Sequence, residues 1–81
     1  MKLPRDVGGE ELVRSLRRFG YEVTHQTGSH MRITSRAGGR EHHVTIPAHK
    51  QLGVGTLAQI LSDVAAHLDL TREQLIQQLF G

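Results

Sequence analysis

Residues 21–35 read Tyr21-Glu22-Val23-Thr24-His25-Gln26-Thr27-Gly28-Ser29-His30-Met31-Arg32-Ile33-Thr34-Ser35, and the fold turns on them. Tyr21 and Val23, then Met31 and Ile33, alternate with polar neighbours, which is the period of a strand with one buried face. Thr27-Gly28-Ser29 between the two runs supplies the small and polar residues of a short hairpin turn. The period of two returns at Val44 and Ile46, after the longer loop Ser35-Arg36-Ala37-Gly38-Gly39-Arg40-Glu41. Three strands are therefore predicted, at 21–26, 30–35 and 42–46. Connections this short require antiparallel pairing in a meander. Side chains alternate across a sheet, so Met31, Ile33, Val44 and Ile46 are expected on a covered face. His30, Arg32, Thr34, His43 and Thr45 are expected on the opposite one.

Working outward, the spacing becomes helical on both sides. Upstream, Leu12, Val13, Leu16 and Phe19 form one stripe, with Glu10 and Glu11 near the positive end of a helix over about 9–19. Gly20 is a natural left-handed stop. Downstream, Pro47 ends the third strand, and Leu57, Ile60, Leu61, Val64 and Leu68 mark a helix over about 55–67. Thr71-Arg72-Glu73-Gln74 is a capping box, with Leu70 and Leu75 as its hydrophobic staple, opening a last helix over 72–80. The expected architecture is α+β, α-β-β-β-α with a C-terminal helical extension. Helices cover one face of a three-stranded antiparallel sheet, and the other face is left for water or a partner.

The 81 residues suit one domain over 1–81, of a size that buries roughly 60% of its unfolded surface. Hydrophobic residues make up 37% and aromatics only 4%, so the core must rest on Leu, Val and Ile. The absence of cysteine excludes a disulfide framework, a thiolate zinc site and a cysteine nucleophile. The mean hydropathy of -0.34 and the lack of any apolar run near ~20 residues argue against a membrane span. The opening residues, through Asp6, show no apolar leader stretch, so a cytoplasmic location is expected. The net charge of +2 conceals an asymmetry, with eight Lys/Arg against four acids in residues 1–40 and two against four in residues 41–81. The basic half favours an anionic partner such as nucleic acid.

Six histidines raise the question of a metal. His42 and His43 are adjacent in a strand and point to opposite faces, no His-Glu-x-x-His pair exists, and the acids do not interleave at ligand spacing. Neither a metal nor a cofactor is expected. Ser29 and His30 sit where their side chains are expected to diverge, without the strand-turn-helix elbow of a serine hydrolase. No Gly-x-x-x-x-Gly-Lys phosphate loop is present. What remains is His30, leading a strand whose outward face continues with Arg32 and Thr34, with Arg36 and Arg40 in the adjoining loop. An imidazole among guanidiniums can take the proton of a ribose 2′-hydroxyl while the cations steady charge on the attacked phosphate. The same residue types also suit an ordinary exposed strand, and residue type alone favours that plainer reading.

Five segments, taken in order, carry a family resemblance: Gly9-Glu10-Glu11-Leu12-Val13, Phe19-Gly20-Tyr21, Gly28-Ser29-His30, Val44-Thr45-Ile46-Pro47-Ala48-His49, and Gly55-Thr56-Leu57 with Ile60-Leu61. Together they resemble the HicA family of toxin mRNA interferases, small proteins with a double-stranded-RNA-binding-domain-like fold. The likeness covers most of the chain. It departs at Met31-Arg32-Ile33, where the family usually has another histidine and an aromatic, and over residues 62–70, a slightly longer stretch than usual. The resemblance implies a toxin of a toxin–antitoxin system, a metal-independent endoribonuclease that cleaves mRNA with His30 as catalytic residue. It also implies a HicB-type antitoxin covering the active surface. Within that reading Gly28 permits the turn and Ser29 binds a phosphate or orients the turn. Arg32 and Lys50 are candidate phosphate contacts, with ordinary solvated charge as the competing reading. Arg36 and Arg40 support RNA binding, and His49 is either a second proton carrier or, as its loop position favours, a residue bonded to backbone. A non-catalytic RNA-binding module and a protein-interaction domain without RNA activity are the competing functions.

Overall fold

The computed structural model describes residues 6–81; the first five residues, part of the stretch read for a leader, lie outside the described residues. Helix α1 (Gly9–Leu16) tightens into a 3-10 turn (Arg17–Phe19) and is followed by strands β1 (Glu22–Gln26), β2 (His30–Ser35) and β3 (His42–Pro47), then by helices α2 (Val54–His67) and α3 (Arg72–Phe80). Leu12, Val13 and Leu16 are the buried stripe of α1, and Glu10 and Glu11 occupy its first turn. Gly20 ends the segment at φ 90, a left-handed geometry that a glycine adopts without a Cβ penalty.

The sheet order is β1-β2-β3, antiparallel throughout. Opposite His30, Arg32 and Thr34 on β2 stand Pro47, Thr45 and His43 on β3. Met31, Ile33, Val44 and Ile46 are buried in one apolar cluster with Leu12, Leu16, Leu57, Leu61 and Leu75. This places the core on the helix side of the sheet and leaves the other face uncovered. The order is that of a double-stranded-RNA-binding-domain-like α+β fold carrying one added helix.

Two features of β1 differ from the simple alternation. Tyr21, expected to open the strand, lies just before it and is fully buried. A bulge at Thr24 then shifts the register, so that Val23 pairs with Ile33 but His25 pairs with Arg32. An extra residue in one strand reverses the facing of everything beyond it, and His25 joins the uncovered face.

Two glycines fix where α1 begins. A Cβ on Gly9 would collide with the Pro47 carbonyl oxygen, and one on Gly8 would stand 2.6 Å from that of Lys50. The Gly9 N–H donates to the His49 carbonyl at 2.9 Å. The backbone of 47–50 is thereby held against the start of α1. At the other end, the capping box of α3 forms as read: Thr71 Oγ1 accepts from the Gln74 N–H at 3.0 Å, and Gln74 Oε1 accepts from the Thr71 N–H at 2.8 Å. Leu75 and Ile76 anchor α3 in the core, and the Arg18 guanidinium donates to the Gln78 carbonyl.

Candidate nucleic-acid interface

The hairpin between β1 and β2 presents His30. The Thr27 N–H donates to the His30 carbonyl at 2.9 Å, and the His30 N–H donates to Thr27 Oγ1 at 3.1 Å. Gly28 does not adopt a positive φ, and a Cβ built on it meets nothing within 4 Å. The turn therefore does not require a glycine, contrary to the expectation that Gly28 makes it possible. Nor do the neighbouring side chains diverge: Ser29 Oγ lies 2.9 Å from His30 Nδ1. Ser29 belongs to the turn, where strand alternation does not apply. The His30 ring is exposed, one nitrogen is held by Ser29, and Nε2 has no partner among the described residues.

The Ser29 backbone carbonyl accepts a hydrogen bond from the Ala48 N–H at 2.9 Å. With His30 opposite Pro47, this brings the exposed His49 and Lys50 to the same end of the sheet as His30. His49 and Lys50 line a cleft of about 490 Å³ with Gly8, Glu10 and Arg14. Arg32, two residues along β2, is exposed on the open face between His25 and Thr45.

Arg36 and Arg40 are not part of this cluster. They follow the far end of β2, about 20 Å from His30 at ~3.3 Å per strand residue. Arg36 Nε pairs with Glu41 at 3.5 Å, and the Arg40 guanidinium donates to the His67 carbonyl at 3.0 Å. Adjacency in the chain suggested a group of guanidiniums around His30; the length of the strand separates them.

Two histidines that the residue reading left without a role also stand on the open face. One is His25, brought there by the bulge. The other is His43, whose ring is fixed at both nitrogens: Nδ1 lies 2.7 Å from Thr34 Oγ1 and Nε2 lies 2.8 Å from Glu41 Oε1. Thr34 in turn bonds Thr24 at 2.8 Å. His30 and His43 both line a cleft of about 560 Å³ along the outer edge of β3, whose lining also includes Thr45, Thr56, Gln59 and Asp63. The facing of His43 was legible, but its cross-strand partner depends on the register.

The covered side holds a second cluster. His42 Nδ1 lies 2.7 Å from the Tyr21 hydroxyl, the His42 and His67 rings stack at 4.7 Å, and His67 Nε2 is 3.3 Å from Ser35 Oγ. Burial pushes the His67 pKa below its ordinary value, helped by the nearby His42 and Arg40 and opposed by Asp69. Burial, with the Asp63 charge, pushes Tyr21 up to about 12. This cluster ties the 35–42 loop to α2 and faces away from the open surface. Among the described residues no three His, Asp or Glu side chains come together as a metal-ligand set, and no helix is long and apolar enough to cross a membrane.

A family model described as the HicA toxin of bacterial toxin-antitoxin matches residues 9–65, from the first residue of α1 into the last turns of α2. The site residues Gly28, Ser29, His30, Arg32, His49 and Lys50 all fall inside the match; α3 falls outside it. No curated protein and no solved structure was found to match.

Proposed function

Because the chain belongs to the HicA family of toxin–antitoxin toxins, we propose that it is a metal-independent endoribonuclease acting on single-stranded mRNA in the cytoplasm, with His30 moving the proton. The observation that carries this reading is the state of His30: exposed on the uncovered face, with Nδ1 tied to Ser29 and Nε2 open. When Nδ1–H donates to Ser29 Oγ, the Nε2 lone pair points outward as a base.

Nε2 takes the proton of the 2′-hydroxyl. The 2′-oxygen then forms a bond to the adjacent phosphorus, and the bond from phosphorus to the 5′-oxygen breaks. The products are a 2′,3′-cyclic phosphate and a 5′-hydroxyl, the latter completed by a proton from His49 or water. Negative charge that gathers on the phosphate oxygens meets Arg32 and Lys50. The attack requires in-line geometry, which a strand free of base pairing can reach. A toxin of this family has an antitoxin partner; a HicB-type protein seated on the open face would cover His30 and silence it.

Expression of the chain in a bacterial host tests the reading. Growth arrest is expected, with relief by His30→Ala and by a co-expressed HicB-type antitoxin. An arrest undiminished by His30→Ala, with the variant folded and equally abundant, would remove His30 from the mechanism.

A further inference from the structure

Both polar atoms of the His43 ring are engaged inside the protein, one with Thr34 and one with Glu41, yet the side chain remains 38% exposed. What it turns outward is therefore its carbon edge and its π face, with no free N–H. Neither partner needs the ring for its own satisfaction, since Thr34 already bonds Thr24 and Glu41 already pairs with Arg36. The effect of the arrangement is to fix the plane of an exposed ring.

Such a plane has a use on this surface. The chain's only Tyr, Phe and Trp residues are Phe19, Tyr21 and Phe80, and all three pack in or against the core. The open face therefore carries only imidazole rings, and of these His43 is held at both nitrogens. It stands four residues along the sheet from the level of His30, about 13 Å at ~3.3 Å per residue, and both line the cleft beside α2. At a stacked rise of ~3.4 Å per nucleotide, that separation corresponds to roughly four nucleotides, and fewer for a splayed strand.

We propose that His43 is the stacking platform for a nucleobase of the RNA strand a few nucleotides from the cut, with the base lodged in the cleft between β3 and α2. Thr56, Gln59 and Asp63 line the same cleft, with the Gln59 amide donating to Asp63 Oδ1 at 3.0 Å, and this polar wall would meet the edge of that base. The inference rests on the RNA-cleaving reading and adds a binding residue to it. Bases stack on aromatic planes largely regardless of identity, and the fixed ring avoids the ordering cost of a mobile one.

The test is equilibrium binding of the full chain to a short 2′-O-methyl oligoribonucleotide, which cannot undergo the attack and so reports binding apart from cleavage. His43→Ala is expected to weaken binding about fivefold or more, the range of ~1–3 kcal/mol lost per stacked base. His43→Phe, which restores an aromatic face without the two bonds that fix its plane, is expected to recover part of that loss. The salt slope stays the same in His43→Ala, because a stacking contact releases no counterions, whereas Arg32→Ala lowers it by about 0.7. Abasic substitution along the oligonucleotide reads the same contact on the unaltered protein, and loss at one position is expected. Wild-type affinity in a folded His43→Ala, no rescue by His43→Phe, a slope that falls with His43→Ala, or an abasic scan without a sensitive position would each overturn the proposal. Cleavage of natural RNA alongside a silent His43→Ala would sink the platform alone. Binding that depends on His43 without any cleavage would sink the nuclease reading alone.

Discussion

At the residue scale the account rests on how Ser29 and His30 meet. The hydroxyl sits 2.9 Å from Nδ1, and in the proposed mechanism Ser29 would position the ring and select which nitrogen faces the substrate. Ser29→Ala is expected to lower kcat by about tenfold with little change in KM. The size follows from the 10²–10⁴-fold range of acid–base contributions, of which orientation is a part. A rise in KM with kcat unchanged would make Ser29 a phosphate contact instead. Two glycines give an opposite pair of outcomes. Gly9→Ala is expected to cost about 1–3 kcal/mol by overpacking, since its Cβ would meet the Pro47 carbonyl. Gly28→Ala meets nothing in the protein, so its melting temperature should match wild type, and on the proposed reading, in which RNA reaches His30 past this turn, cleavage falls. Calorimetry beside a cleavage assay checks both, and intact cleavage in Gly28→Ala would remove that residue from the site. Much of this scale is legible in the sequence, because period two alone sends His30, Arg32 and His43 outward. His25 was not legible, since a bulge is a register event that composition does not announce. The Ser29–His30 bond was missed because turn residues escape the strand rule.

At the scale of elements, the order of helices and strands follows from apolar period, and the capping box places α3 correctly because both of its partners are local. The distance from His30 to Arg36 and Arg40 could be read only once the strand between them had a length. The cluster of His42, His67, Tyr21 and Ser35 joins β2, β3, α2 and the residue before β1, and nothing local signals it. It gives the fold a pH dependence whose sign can be worked out. His67 is held below its ordinary value of 6.5 by burial first, then by His42 and Arg40, so between the folded and unfolded values the unfolded chain binds more protons. Its contribution to stability is complete above about pH 6.5 and is lost as pH falls through the lower folded value. The melting temperature should therefore drop between pH 7.5 and 5, and His67→Gln should flatten that drop. An equal drop in the variant would assign the effect to other groups.

For the whole molecule, one sheet face holds the core and the other is left uncovered, with His30 and Arg32 exposed on it. Arg32 lies on that open face, and Lys50 stands at its His30 end. If about four phosphates are neutralised along this surface, the logarithm of RNA affinity falls with the logarithm of salt at a slope near −3. Titration of a non-cleavable strand at several salt concentrations measures the slope, and affinity indifferent to salt would point to a protein-interaction role. The added helix α3 completes the core through Leu75 and Ile76 on the side away from this surface. The most direct measurement is analysis of the ends produced when purified chain meets single-stranded RNA with divalent cations chelated. The account predicts 2′,3′-cyclic phosphate and 5′-hydroxyl ends from the wild type, and no cleavage from a His30→Ala variant that still binds RNA. Cleavage by that variant at the wild-type rate, or 5′-phosphate ends from the wild type, would contradict it.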